Sequence, residues 1–399
     1  MVPLSREELN VMETEEHTVE QLIPGAPSRI ARAAVHGADG QVLRLLRAAQ
    51  SGLPWAHDIR SGDFAQTVRG GGGAPVREGT SLRYSAIAAL GIGRLDLGDQ
   101  RYVLSGATAV DVAGASAVRA KRQSDPGTTA LAVWASAEVL GATDTALMAR
   151  LETELASGKP IPTVDLAWML IAALRACGPR DVVAEHATAR LLETQGARGL
   201  FPHMSPPETQ SRWRRHVGCF ADQIYPVQAL ARMFAATQEP ALLAAAERTA
   251  DRLCELQGPA GQWWWHYDAR TGDVVERFPV YSVHQHGMAP MALFDLADAG
   301  GTDRTGEIVR GVRWLDTHPE IDEELIDEEA GLIWRKVGRR EPGKTVRKLS
   351  AVTTAMRSGL YLPRLDRAFP ANRVDHECRP YELGWLLYAW LPARDGDAS

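Results

Sequence analysis

The sequence predicts an all-α protein, an α/α toroid of about six helical hairpins with little β structure. Two observations carry this expectation. Helical periodicity runs through most of the chain, and a short motif recurs at a displacement of 62 residues, from Gln195 to Gln257. Segments 81–95, 128–140, 164–177, 222–237, 240–256 and 289–297 place apolar residues at three- and four-residue intervals, the spacing of one helix face. Strand-like alternation is short, chiefly at 101–104 and 274–280. The Ala-rich, most apolar helices can pack closely against one another, and the more polar ones between them form an outer layer.

The recurring motif is Gln195-x3-Gly199-x-Phe201, repeated as Gln257-x3-Gly261-x-Trp263. Each copy follows a helical stretch, 187–194 or 244–256. The glycine can adopt the left-handed conformation that stops a helix, and the aromatic then folds back onto the hairpin. Weaker echoes are Gln50-x-Gly52-x2-Trp55 and Gly331-x2-Trp334. A period of this size is the mark of stacked helical units. The same displacement relates the next pair of helix entries. Phe201 leads after 21 residues to Asp222-Gln223, and Trp263 after 21 residues to His284-Gln285. Asp222 and His284 thus take equivalent places, each at the entry to the next helix. Other polar entries are Arg83-Tyr84-Ser85, Asp125 before Thr128-Thr129, Asp165 before Leu166-Ala167-Trp168, and Tyr381-Glu382. In a toroid such entries surround one central hollow.

At 399 residues the chain can bury a large core; 45 % hydrophobic and 24 % charged residues are the balance of a globular protein. A net charge of −6 lacks the basic excess of a nucleic-acid binder. Cys177, Cys219, Cys254 and Cys378 show no paired spacing, which fits free thiols in a reducing compartment. Glu7, Glu8, Glu13, Glu15 and Glu16 stand where a secretory leader would be basic and then apolar, and no run approaches the roughly 20 apolar residues of a membrane span. The expectation is a cytoplasmic protein with an N-terminal arm at 1–24, one toroid domain at 25–393 and a disordered tail at 394–399.

Asp222 and His284 are the first candidates for acid–base work, since imidazole titrates near neutrality and a carboxylate can orient it or accept its proton. The alternative is a helix cap for Asp222 and a satisfied helix-entry histidine for His284. Tyr225 lies three residues after Asp222 on the same face, and with Tyr84 and Tyr381 can donate hydrogen bonds to a hydroxyl-rich ligand. Asp165 and Glu382 are further catalytic candidates. Arg83 can clamp a carboxylate or phosphate, or pair with Asp165 or Glu382. Gln223, Gln285 and His286 are candidate substrate contacts beside the proposed pair. In the aromatic run 263–268, Trp263 holds the repeat position, while Trp264 or Trp265 can line the mouth or pack in the core. The acidic run 321–329 and the basic stretch 335–348 read as solvated faces, the basic one alternatively as a lid for an anionic substrate. The glycine run 70–73 lacks the GK[ST] of a phosphate loop.

The two motif copies resemble the Q…G-x-W repeats of terpenoid cyclase and protein prenyltransferase toroids. They are similar, less specifically, to the hairpin ends of (α/α)6-barrel glycosidases, lyases and sugar epimerases. The resemblance covers mainly 187–293 and implies architecture. The cyclase's DxDD acid would fall at Asp125-Pro126-Gly127-Thr128, where glycine and threonine replace the later acids. The prenyltransferase zinc set would fall on Cys219, Asp222 and His284, with Val217 where an aspartate is wanted. The leading expectation is a cofactor-free, carbohydrate-active enzyme using acid–base chemistry on a polar, acidic saccharide. Hydrolysis would pair Asp222 with Asp165 or Glu382. Elimination would use His284 or Tyr225 as base, with Arg83 neutralising a uronate. A terpenoid cyclase or prenyl-transferring enzyme, with zinc or magnesium, is the alternative; a non-catalytic binding toroid is the third.

Overall fold

The computed structural model describes residues 28–70, 73–360, 362 and 364–393. The expected arm at 1–24 and tail at 394–399 lie outside the described residues. In chain order the helices are α1 Arg29–Val35, α2 Asp39–Ala56, α3 Leu82–Ile92, α4 Leu97–Val103, α5 Ala109–Ala120, α6 Pro126–Ala135, α7 Thr145–Ala156, α8 Thr163–Ala176, α9 Val182–Thr194, α10 Phe220–Thr237, α11 Pro240–Glu255, α12 Ala289–Asp298, α13 Thr305–Thr317, α14 Thr345–Met356, α15 Arg364–Ala368 and α16 Pro380–Trp390. Helices α3, α6, α8, α10, α12 and α16 pack each against the next, and α16 packs back on α3. Outside them run α2, α5, α7, α9, α11 and α13. The fold is an (α/α)6 toroid.

Side-chain chemistry decides which helix lies in which layer. In α6, every residue from Gly127 to Ala135 is buried, and α8 buries Asp165 through Ala173 without a break. A helix apolar all round must be surrounded, so these form the inner ring. By contrast α11 buries Leu242, Ala245, Ala246, Thr249, Ala250 and Leu253, a single stripe with polar residues opposite. Starts are marked by capping. Asp125 accepts the Thr128 amide at 2.9 Å ahead of Pro126, and Ser81 caps α3.

The repeat is a physical one. Gln195 Nε2 donates to the carbonyls of Gly199 (3.1 Å) and Ala245 (2.8 Å), and Gln257 Nε2 donates to those of Gly261 (2.9 Å) and Glu307 (2.9 Å). Arg248 and Arg310 each donate to the glutamine's Oε1 at 2.6 Å. Every partner is displaced by the same 62 residues as the glutamines themselves. Gly199 and Gly261 take φ of +87° and +97°, as the motif requires. The weaker echoes are a different device: Gln50 and Gly52 lie inside α2, and Gly52 packs directly on Gly331.

Among the described residues every strand lies in a connection that leads from an outer to an inner helix, so the strands gather on the face where inner helices begin. Among them are Val274–Glu276 and Val280–Tyr281, within the segment expected to alternate. The alternation at 101–104 is instead the end of α4, which Asp96 caps and whose Gln100 and Val103 are buried one turn apart. One sheet pairs Glu377 and Cys378 with Arg69 and Val68, joining the last connection to the first. Among the described residues, no helix is long and apolar enough to cross a membrane.

The ring closes where α3 meets α16. A Cβ on Gly91 would clash with the Gly384 carbonyl oxygen and lie 2.8 Å from its carbon, and one on Gly384 would lie 2.9 Å from the Ile87 oxygen. Gly91→Ala gains helix propensity of about 1 kcal/mol yet overpacks this seam, so a net loss of about 1–3 kcal/mol is expected in urea unfolding. Gly114→Ala, in the outer helix α5 with open space at its Cβ, is the control and should stabilise by about 0.5–1 kcal/mol. Equal effects from the two substitutions would show that the seam is not tightly packed.

Candidate active site

The inner helices begin around a hollow of about 240 Å³. Arg83 and Tyr84 reach it from α3, Trp168 from α8, Tyr225 from α10 and Tyr381 from α16. The long connections add Trp265, Tyr281, Arg335 and His284, the last opening a π turn, His284–Met288, that runs into α12.

The densest charge sits at the starts of α3, α6 and α8. Arg83 donates to Asp125 through Nε at 2.8 Å and Nη2 at 2.7 Å, and to Asp165 through Nη1 at 3.2 Å and Nη2 at 3.3 Å. Its guanidinium also lies over the Trp168 ring, 5.3 Å from the centroid. A Cβ on Gly127 would clash with Asp165 Oδ1 and lie 2.6 Å from Arg83 Nη2, so only glycine leaves room for this bridge. The two acids are driven apart electrostatically. Burial raises Asp165 above the usual carboxylate range, with the Asp125 charge adding to it and Arg83 opposing. Burial also works against an ionised Asp125, but bonds from Thr128 and the Arg83 guanidinium prevail and hold it below that range. Arg83 therefore takes the ion-paired course, with Asp165 and Asp125, and is not a free clamp.

Asp222 and His284 start equivalent helices, but their side chains have different partners. Asp222 is fully buried, accepts the Cys219 amide at 2.7 Å, and lies 3.1 Å from His203 Nδ1. The hydrogen bond to Asp222, with its charge, raises the pKa of His203 against the effect of burial. His284 sits among rings: Phe220 at 4.5 Å, Tyr281 at 5.0 Å and Trp265 stacked at 5.9 Å. Burial, reinforced by Arg335, lowers it to about 3, so its imidazole is neutral. The expected Asp222–His284 couple is corrected to Asp222–His203, and the zinc set is likewise unassembled: among the described residues no three His, Cys, Asp or Glu side chains could hold a metal ion.

Several expected ligand contacts prove to be fasteners. Gln223 accepts the Phe201 amide at 2.7 Å and donates to the Phe201 carbonyl at 2.8 Å, pinning the motif aromatic to α10. Gln285 accepts the Trp263 amide at 3.2 Å and donates to the Tyr281 carbonyl. Both are fully buried, which leaves no amide for a substrate. His286 is also fully buried away from the hollow, and burial lowers it to about 3. Trp264 packs on Phe278 under Arg277; the tryptophan lining the hollow is Trp265.

Tyr84, Tyr225, Tyr281 and Tyr381 line the hollow together with Arg335, and Glu382 lies behind Arg335. Glu382 is buried beside Arg335, whose Nε lies 3.4 Å from Oε1; burial pushes the carboxyl up to about 7 against the pull of Arg335 and Arg379. The Tyr84 and Tyr381 rings lie 4.6 Å apart, tilted at 32°, and Arg379 donates to the Tyr84 hydroxyl at 2.9 Å. Burial raises Tyr225 and Tyr381, which stay protonated as donors. His203 comes from a long connection, where no helical period marks it; Trp265 and Arg335, also from long connections, stand out in the sequence only as a mouth-lining alternative and as part of the basic stretch. Asp125 was visible as the entry to α6, and Trp168 as the turn after Asp165 in α8.

Three crystal structures are similar to this chain. An unsaturated glucuronyl hydrolase specific for heparin shares 13 % identity over 88 % of this chain and 96 % of its own, with a TM-score of 0.55. The unsaturated glucuronyl hydrolase of Bacillus sp. GL1, responsible for the degradation of glycosaminoglycan, shares 13 % over 88 % and 96 %, at 0.50. A possible member of the GH105 family from Salmonella enterica shares 12 % over 98 % of both chains, at 0.51. At this identity the likeness is one of fold. No protein-family model matches the chain, and no curated protein matches it in sequence.

The histidine dyad can be read directly by proton NMR. The His203 imidazole should titrate above the free value near 6.5, and Asp222→Asn should lower its midpoint. An unshifted midpoint in the parent protein would show that the Asp222–His203 bond does not persist in solution.

Proposed function

We propose that the chain is a glycan-degrading hydrolase in which Asp165 is the proton donor and Asp125 the ionised partner. The observation that carries this reading is the Arg83 bridge. Two neighbouring carboxyls with oppositely displaced pKa values are how one site keeps an acid and a base ready at the same pH. Asp165 gives its proton to the reacting atom of the saccharide, and its carboxylate then accepts one from the attacking water. Both acids accept from Arg83 Nη2, at 2.7 and 3.3 Å, so their nearest oxygens are at most about 6 Å apart. That is closer than the ~6.5–9.5 Å of an inverting pair with water held across the sugar ring. The retaining spacing of ~5–5.5 Å would make Asp125 a nucleophile, but both its oxygens already accept from Arg83 and Thr128, so Asp165 acts as a single acid–base, with Asp125 and Arg83 setting its proton affinity.

The remaining groups suit a sugar. Trp168, Trp265 and the tyrosines offer faces for pyranose rings and hydroxyls for hydrogen bonds. Asp222 positions His203, and Glu382 positions Arg335. An isoprenoid chain would gain nothing from so many hydroxyl and charged groups in so small a space. Two similar structures carry the name unsaturated glucuronyl hydrolase, which supports a uronyl-bearing oligosaccharide as the first substrate class to try.

Turnover of unsaturated uronyl disaccharides and of neutral oligosaccharides, followed by reducing-end release, tests the reading. Asp165→Asn should lower turnover by about a hundredfold or more with the fold intact. Activity should fall as pH rises through the raised pKa of Asp165. Asp125→Asn removes a charge that raises it, so that alkaline limb should move to lower pH. Full activity in Asp165→Asn, or no saccharide turned over by the parent protein, would refute the assignment.

A further inference from the structure

Most arginines at the rim of the hollow are matched by acids. Arg83 has Asp125 and Asp165, Arg335 has Glu382 and Glu377, and Arg379 has Glu377. Arg214 and Arg347 break this pattern. Arg214 sits in the connection before α10, and Arg347 in the first turn of α14. Both are half-buried, and neither side chain makes an ion pair or hydrogen bond among the described residues. The Arg347 Nε is sealed from solvent with no acceptor.

The segments that carry them meet: His216, two residues after Arg214, lies 2.9 Å through Nε2 from the Thr354 hydroxyl of α14, and Val217 packs with Ala351 of the same helix. Burial lowers the pKa of Arg214, and the Arg347 charge lowers it further; the nearby Asp222 pulls the other way but is already bonded to His203. Arg347 stands over the face of Trp265, 5.3 Å from its centroid, and Trp265 lines the hollow. Both arginines also depress His266, after its burial, and His266 is the neighbour of Trp265 in the chain. Two like charges held together in a partly dry place, with no acid supplied, repel each other and favour an anion between them. This region overlies α10 and the π turn before α12, whereas Asp125 and Asp165 mark the starts of α6 and α8. A ligand reacting at Asp165 would meet the arginines with a neighbouring residue.

We propose that Arg214 and Arg347 form an oxyanion clamp, selecting a saccharide that carries a sulfate or carboxylate on the sugar next to the reacting one. The proposal rests on the glycan-hydrolase reading for its substrate, but the clamp can be measured without turnover. Arg83 cannot take this role while two carboxylates hold it.

Two experiments test it. In the first, melting of the parent protein is compared in sodium sulfate and in sodium chloride at equal ionic strength. Sulfate should raise the midpoint, and Arg347→Ala and Arg214→Ala should each abolish the excess, while Asp165→Asn keeps it. Absence of a sulfate-specific rise, or its survival in both arginine variants, overturns the clamp whatever the enzyme's substrate. In the second, three unsaturated uronyl disaccharides are compared, with the second sugar neutral, sulfated or carboxylated. At least one charged form should have a KM about tenfold lower than the neutral one, and the preferred form tells sulfate from carboxylate. Arg347→Ala should erase that preference, raising KM on the charged form to the level of the neutral one. Parent turnover with no preference, or equal losses on all three substrates, overturns the clamp while leaving the hydrolase reading intact. Loss of all saccharide turnover in the parent counts against the hydrolase reading alone, and the melting comparison then decides the clamp.

Discussion

Gly91 and Gly384 leave no space for a side chain between the first and last inner helices, and the ring exists only because the two backbones meet there. A toroid differs from a stack of hairpins in this one contact. If α3 and α16 stood apart by a methyl group, the starts of the six inner helices would no longer define a closed hollow. The short sheet pairing Glu377 with Arg69 reinforces the seam from the connection side, so both ends of the described chain are tied at one place.

Closure has a chemical consequence. The inner helices start on the same face, where first-turn amides lack partners within the helix and the dipoles have their positive ends. Acids are favoured there, and Asp125, Asp165, Asp222 and Glu382 all occupy first turns or caps. Asp165, Asp222 and Glu382 are buried there and need cations. Arg83 and Arg335 supply them, and the uneven match leaves Asp165 and Glu382 with raised pKa values and Asp125 with a lowered one. The acid–base character of the site thus follows from ring geometry as much as from any single residue.

The ring and its repeat were legible because they rest on local rules. Gln195 and Gln257 cap equivalent hairpins through the same carbonyls and the same arginine, so one displacement revealed both. The same rule misled at the next step, since equivalent backbone positions do not give equivalent side-chain partners. Asp222 finds His203, which lies in a connection with no period, while His284 finds Phe220 and Trp265. Gln223 and Gln285 looked like ligands because they stood beside acid–base candidates; both lock the motif aromatic in place instead. Trp265, Arg335, Arg214 and Arg347 come from long connections whose paths depend on the finished ring. Arg83 and Asp165 were visible as helix entries, but their bridge through Asp125 depends on a glycine at position 127 that sequence alone marks only as a departure from an acidic motif.

The central claim is that Asp165, bridged to Asp125 by Arg83, is the group that meets the reacting atom of a saccharide. A crystal structure of Asp165→Asn soaked with an unsaturated uronyl disaccharide tests it most directly. The expected density has one sugar ring between Trp168 and Trp265, with the reacting atom within hydrogen-bonding distance of residue 165. A sugar bound outside the hollow, or one whose reacting atom faces Glu382 or His203 while residue 165 touches only Arg83, would contradict it.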